Sequence, residues 1–423
     1  MKNPALKKSA VVIKSSRKFI YEFFRWILIA ALIGFIGGII GAAFNISVKY
    51  ANTIRSEHPL LILLMPVGGI AIVGMYKLCS MFDNHGTDDI IDSVRTDGEI
   101  PLRTAPLIFI STVITHLAGG SSGREGAALQ VGGSIGYQVG RLFRLDAKDR
   151  HLLVMCGMSA LFSALFGTPL TSTVFAMEVI SVGVMYYSGL IPCMMSALTA
   201  FGITRIVGIE PIYFDLAAVP QMNPVSLSQT AVIAGLCAGI SIVFCIMLHG
   251  TAHLMKEKIP NPYIRIVSGA LILIAITYIC GSYDYNGAGV DVINRAVSGE
   301  ARPEAFLLKM IFTAITIGAG FKGGEIVPTF FVGAVFGAVA GNLIGLDAGY
   351  GAAVGMVAMF CGMLNCPIAS IMLSAEIFGG KGFVLFAAAA AVSYMLSGDY
   401  GLYHSQRIVY SKLKAEYINK NTK

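Results

Sequence analysis

GGSSGREGAALQVGGSIG (119–136) and GAGFKGGEIVPTFFVGAVFG (318–337) decide how this chain is read. Each is a glycine-rich loop that runs into a helical pattern with a glutamate at the junction. Slid by about 200 residues, Glu125 falls on Glu325 and Gly133 on Gly333. The register extends outward. FGTPLTSTVFAMEVI (166–180) lies over LNCPIASIMLSAEIF (364–378), matching Pro169 to Pro367, Ser172 to Ser370 and Glu178 to Glu376. HGTDDII (85–91) lies near AGVDVIN (288–294), each followed by a Gly-Glu pair and a Pro. Matched Glu and Pro at a nearly constant offset imply two related halves, the sequence signature of a transporter with its site between repeats.

Composition places those halves in a bilayer. The 423 residues are 55% hydrophobic with a mean hydropathy of +0.72, and only 13% are charged, against about 25% in soluble domains. Solid apolar runs recur from residue 26 to residue 397, where a β-barrel would alternate. The expectation is an all-α polytopic membrane protein of two inverted-topology halves, with many short, tilted and re-entrant helices, since several runs are shorter than the ~20 residues a span needs. A secreted enzyme, a nucleic-acid binder and a soluble scaffold are excluded.

The expected organisation is a basic N-terminus (1–25), a first repeat (26–208), a linker (209–227), a second repeat (228–398) and a C-terminal segment (399–423). The net charge of +7 is concentrated at the ends: Lys2, Lys7, Lys8, Lys14, Arg17, Lys18 and Arg25 precede the first run, and Lys412, Lys414, Lys420 and Lys423 follow the last. Positive-inside bias puts both ends in the cytoplasm and reads the lysines as orientation signals rather than a nucleic-acid tail. The eight cysteines show no zinc or redox spacing and no disulfide framework. No metal or cofactor is expected.

Ionisable side chains within or beside the apolar runs are His116, Arg124, Glu125, Glu178, Lys309, Lys322, Glu325 and Glu376, each costly in lipid unless paired or lining a polar cavity. Glu125 leads. Free amides at a helix start attract anions, and the glycines around Arg124 let backbone approach an ion. A carboxylate there can fill the anion site and withdraw on protonation; the alternative is an ordinary helix-start glutamate beside Arg124. A phosphate loop is excluded, because no Lys-Ser or Lys-Thr follows the glycines. In the second loop the amides of Ile326 and Val327 can face an anion from the opposite side. Glu325 needs either Lys322 as partner or a proton of its own, unless it is a salt-bridged structural group. Pro169 and Pro367 mark helix starts, and Glu178 and Glu376, nine residues further on, read as structurally paired. Tyr403, in GLYHSQ (401–406), can return a hydroxyl to the site.

These residues resemble the CLC family of anion channels and proton-coupled anion exchangers. GREGA (123–127) looks like the family's G-K/R-E-G-P motif, GGEIVP (323–328) like its G-x-F-x-P region, HGTDD (85–89) stands at its G-S-G-I-P segment, and GLYHSQ at its late tyrosine. The resemblance covers nearly the whole chain. It implies a CLC-type fold, a homodimer in the inner membrane with one anion path per subunit, Glu125 as gating glutamate and Tyr403 on the central anion. Gly123, Arg124, Gly126, Ile326 and Val327 would contribute to anion binding.

The departures are informative. Thr87 or nearby amides replace the first motif's serine, and Ile326 stands where the phenylalanine belongs. Val179 falls where chloride/proton exchangers carry their inner proton glutamate, and Glu178 just before it. GREG without a following proline, an acid in the second motif and FGTP together resemble the fluoride-exporting, proton-coupled branch. The expected partners are therefore a halide and protons: fluoride export with proton antiport, with a chloride channel or chloride/proton exchanger as the alternative. A membrane-embedded enzyme using Glu125 and Glu325 lacks an accompanying metal cluster or nucleophile–base set.

Overall fold

A computed structural model describes residues 4–81, 85–96 and 98–423, with side chains from residue 17 onward. Lys2 and the side chains of Lys7, Lys8 and Lys14 lie outside the described residues. The first half contains α1 (Pro4–Glu57), α2 (Met65–Leu78), α3 (Thr87–Ser93), α4 (Thr104–Leu117), α5 (Glu125–Leu142), α6 (Ala147–Phe166), α7 (Pro169–Glu178) and α8 (Leu190–Ile206). The second contains α9 (Pro224–Lys258), α10 (Pro262–Cys280), α11 (Val290–Val297), α12 (Ala305–Ala319), α13 (Ile326–Leu343), α14 (Ala348–Leu364), α15 (Pro367–Ile377) and α16 (Phe383–Leu396). Helix for helix, the halves match in order and offset.

Local chemistry sets the boundaries. Asp146, Asn223, Asn261 and Asp347 cap helix starts with their side chains, and Pro169, Pro224, Pro262 and Pro367 occupy first-turn positions where no amide hydrogen bond is lost. Gly167 and Asn365 end α6 and α14 in the left-handed region. Among the described residues, seven helical stretches are long and apolar enough to cross a bilayer, while α4, α12, α14, α15 and α16 are apolar but shorter. Large apolar side chains such as Leu28, Phe35, Leu236, Val243 and Leu271 lie exposed on the outer helices, as a lipid-facing surface requires.

Small residues bring the inner helices together in the same way twice. A β-carbon on Gly157 of α6 would lie 1.9 Å from the Gly132 carbonyl oxygen of α5. One on Gly355 of α14 would lie 1.9 Å from the Gly333 carbonyl of α13. Backbones pack directly against each other there, the small-residue mode of membrane helices.

The two halves meet through reciprocal contacts. Glu178, at the end of α7, accepts hydrogen bonds from the Ile368 and Ala369 amides at the start of α15 (3.1 and 2.8 Å). Glu376, at the end of α15, accepts from the Leu170 and Thr171 amides at the start of α7 (2.9 and 2.8 Å) and from the Thr171 hydroxyl (2.6 Å). Each carboxylate thus caps the other half's helix dipole. Helices capped at both ends by each other run antiparallel, the relation an inverted repeat demands.

One feature was not anticipated. Residues 399–423 fold back as β2 (Arg407–Tyr410) and β3 (Tyr417–Asn421), and β2 pairs in parallel with β1 (Ser181–Val182), just after α7. The all-helical bundle therefore carries a small three-stranded sheet that anchors the Tyr403 segment.

Candidate anion site

The two glycine loops clasp at the pseudo-symmetry axis. Gly123 and Gly324 exchange both backbone hydrogen bonds (2.6 and 2.8 Å) as an isolated antiparallel bridge. The approach needs bare backbone: a β-carbon on Gly324 would lie 2.4 Å from the Gly126 amide nitrogen, and one on Gly123 2.4 Å from Glu125 Oε2. The clasp sets the starts of α5 and α13 against each other, so amides with no partner inside either helix converge.

Glu125 fills that convergence. Its side chain is 1% exposed, and Oε2 accepts the Arg124 amide at 2.9 Å. Val327, at the start of α13, lies beside it: a β-carbon on Gly123 would meet Glu125 Oε2 at 2.4 Å and Val327 Cβ at 3.2 Å. The carboxylate thus lies where the starts of the two helices meet, bonded to a backbone amide. Arg124 joins through its amide, while its guanidinium donates to Asn45 of α1 (3.1 Å) with Nε 3.7 Å from Glu125 Oε1.

The loop is pinned from outside. His116, fully buried in α4, bonds through Nε2 to the Gly123 carbonyl (3.2 Å). Ser121 is held by Thr313 and Thr316 of α12 (3.0 Å each). Asn286 donates to the Gly119 carbonyl (2.9 Å), and buried Lys309 donates to the carbonyls of Gly287 (2.6 Å) and Tyr285 (3.1 Å), fixing the segment that carries Asn286. The ionisable residues His116 and Lys309 therefore hold the loop in shape. Glu178 and Glu376 act between halves, away from the clasp.

On the other face lies a cavity of about 340 Å³, lined among others by Thr87, Gln130, Lys322, Glu325 and Tyr403. Thr87 donates to the Gly126 carbonyl (3.2 Å) and accepts from Gln130 (3.3 Å), tying α3 to the start of α5. Glu325 Oε2 would lie 3.2 Å from a β-carbon on Gly126, so its carboxyl flanks α5 below Glu125. Lys322 Nζ rests 4.6 Å from the Tyr76 ring centroid and remains within electrostatic reach of Glu325. Tyr403 is 4% exposed, and its hydroxyl has no hydrogen-bond partner among the described residues. Ile326 contributes backbone only, its side chain being buried in the core.

The structure thus brings together Thr87, Gly123, Gly126, Glu125, Glu325, Ile326, Val327, Tyr403 and the Arg124 amide. Sequence reasoning did not single out Gln130, Asp88, His249 or His404, which line the same cavity. Polar residues on a helix face at 130 and 249 carry a weak signal, whereas Asp88 lies inside the HGTDD motif (85–89). Among the described residues, no group of three or more His, Cys, Asp or Glu side chains is placed to hold a metal ion.

Comparison with known proteins fits this geometry. The profile of the voltage gated chloride channel family matches residues 68–398. A "Chloride/fluoride channel protein" of Pseudomonas syringae pv. tomato is 35% identical over 396 residues, spanning 92% of this chain and 87% of the relative. Among solved structures, a CLC-type fluoride/proton antiporter superposes with a TM-score of 0.88 at 30% identity, over 91% of this chain and 98% of that one. A slow cyanobacterial Cl⁻/H⁺ antiporter shares the fold, with a TM-score of 0.73 at 19% identity over 88% and 94% of the two chains.

Proposed function

Because this chain belongs to the voltage gated chloride channel family and is a CLC halide transporter, we propose that it exports fluoride in exchange for protons, with Glu125 as the gate. The observation that carries this reading is the Glu125 carboxylate, bonded to the Arg124 amide at the point where the helix-start amides of α5 and α13 converge. Ionised, it competes with the transported anion for those donors. Protonated, it loses its hold on them and leaves, admitting the anion and carrying a proton. Coupling follows from one side chain doing both.

Fluoride is small and strongly hydrated, so leaving water requires strong donors in exchange. The Tyr403 hydroxyl, without a partner among the described residues, and the amides of Gly126 and Ile326 in the first turns of α5 and α13 are the donors available, joined by Glu325 when it carries a proton. The printed names of the Pseudomonas relative and of the fluoride/proton antiporter structure support the same choice. The division into repeats 26–208 and 228–398 around a linker, placement in the inner membrane with both ends cytoplasmic, a homodimer with one path per subunit, and transport rather than enzymatic activity complete the proposal.

A second reading, a passive chloride channel, is favoured by Val179, a fully buried apolar residue where an exchanger would carry its inner proton glutamate. Purified protein in liposomes loaded with fluoride separates the two. The antiporter drives protons in the opposite direction to fluoride and moves chloride much more slowly. Comparable chloride flux without proton movement selects the channel.

A further inference from the structure

If Val179 closes the usual inner route, protons need another way to reach the gate. The cavity below Glu325 supplies a graded series of titratable groups. His404 is exposed at its mouth, next to Tyr403 in the chain. Half-buried His249, from α9, stacks on it with ring centroids 3.8 Å apart and an interplanar angle of 32°. His249 Nε2 meets the Leu402 carbonyl at 3.0 Å, which assigns the hydrogen to Nε2 and leaves Nδ1 to take or release a proton. Two imidazolium rings at that separation repel, so the stack disfavours a second proton once it carries one.

Asp88 is the next group inward. It sits in the first turn of α3, where the Ser405 amide donates to its Oδ1 at 2.8 Å. Its charge acts on His249 on one side and on Glu325 and Tyr403 on the other. Glu325 in turn interacts with Glu125. Among the described residues, the other titratable groups facing this cavity are His85 from the segment before α3 and Lys322 from the loop before α13. A cavity of about 340 Å³ has room for a chain of waters between these side chains.

We propose that His404, His249 and Asp88 form the proton relay of this cavity, delivering protons to Glu325 and from there to Glu125 in place of an inner glutamate on α7. A proton from solvent binds the imidazole pair, passes through water to the Asp88 carboxylate, and forms an O–H bond on Glu325. It then passes to the Glu125 carboxylate as that group leaves the anion site. Each donor is regenerated by the next proton from solvent, and no electron changes hands. The inference rests on the antiport reading above.

The test uses full-length protein in liposomes with simultaneous fluoride-electrode and pH recording. Asp88→Asn, which keeps the acceptor for Ser405, lowers fluoride-driven proton flux about tenfold, and Asp88→Glu restores most of it. His404→Gln, at the exposed end and safe for folding, flattens the dependence of proton flux on pH between about 6 and 8. Asp88→Asn with wild-type proton flux, or His404→Gln with an unchanged pH profile, overturns the relay. So does an equal loss of the passive anion leak when Asp88→Asn is placed in a Glu125→Ala background, since that marks a role in the anion path. Wild-type protein that moves no protons at all defeats the antiport reading itself, a result distinct from the others.

Discussion

Replacing Glu178 by Ala removes a buried carboxylate that accepts the Ile368 and Ala369 amides at 3.1 and 2.8 Å. Hydrogen bonds to a charged group contribute about 1.5–3 kcal/mol each, and the amides left behind sit at a partly buried helix start. The loss is therefore about 3–5 kcal/mol. Glu178→Gln retains one acceptor oxygen and loses roughly half of that. Glu376 makes the reciprocal contacts from a half-exposed position, where solvent screening reduces Glu376→Ala to about 2 kcal/mol. With an unfolding entropy of about 2 cal/mol/K per residue, the 423-residue chain converts the Glu178→Ala loss into a fall of about 3–6 °C in unfolding midpoint. Six of the eight free cysteines are buried, so a thiol-reactive fluorophore reports unfolding in detergent directly. A Glu178→Ala midpoint within 1 °C of wild type (roughly 1 kcal/mol on the same scale), or a larger fall for Glu376→Ala than for Glu178→Ala, refutes the mutual capping of the two halves.

Other outcomes follow from the same structure. Gly157→Ala and Gly355→Ala each place a methyl 1.9 Å from a backbone carbonyl of the neighbouring helix, so both cost at least about 3 kcal/mol and yield aggregated protein on size-exclusion chromatography, whereas Gly239→Ala, with open space at its position, elutes as wild type. Burial lowers Lys412 to about 8, with the charge of Asp399 among the influences pulling the other way, and its amine donates to Asn365 and Ser397. Between about pH 8 and 10.5 the unfolded chain then binds more protons than the folded one, and stability rises with pH across that window; differential scanning calorimetry shows this rise in wild type and a loss of it in Lys412→Met.

The repeat was legible because inverted halves reuse the same residues at the same helix positions: Pro169 and Pro367 at helix starts, Glu178 and Glu376 at helix ends, Glu125 and Glu325 at the loop-to-helix junctions. That Glu178 and Glu376 were structurally paired could be read from their matching positions. That each caps the opposite half could not, because contacts about 200 residues apart leave no periodic trace. The sheet escaped notice for a similar reason: β1 is two residues long and pairs with a strand more than 200 positions later. Glu125 was conspicuous as a charge among glycines in an apolar chain. Arg124 looked like an anion ligand by charge: its amide donates to the Glu125 carboxylate, and its guanidinium bonds Asn45 while keeping Nε 3.7 Å from Glu125 Oε1. His249 and His404 gave no signal singly, since the stack that makes them a unit forms only when α9 meets the end of the chain.

Antiport through this site requires the Glu125 carboxylate to occupy the place of the transported anion. Calorimetric titration of fluoride into detergent-solubilised wild type and Glu125→Ala at neutral pH measures that competition. If the carboxylate holds the site about nine-tenths of the time, removing it tightens fluoride binding about tenfold. Equal affinity in the two proteins, or weaker binding in Glu125→Ala, contradicts it.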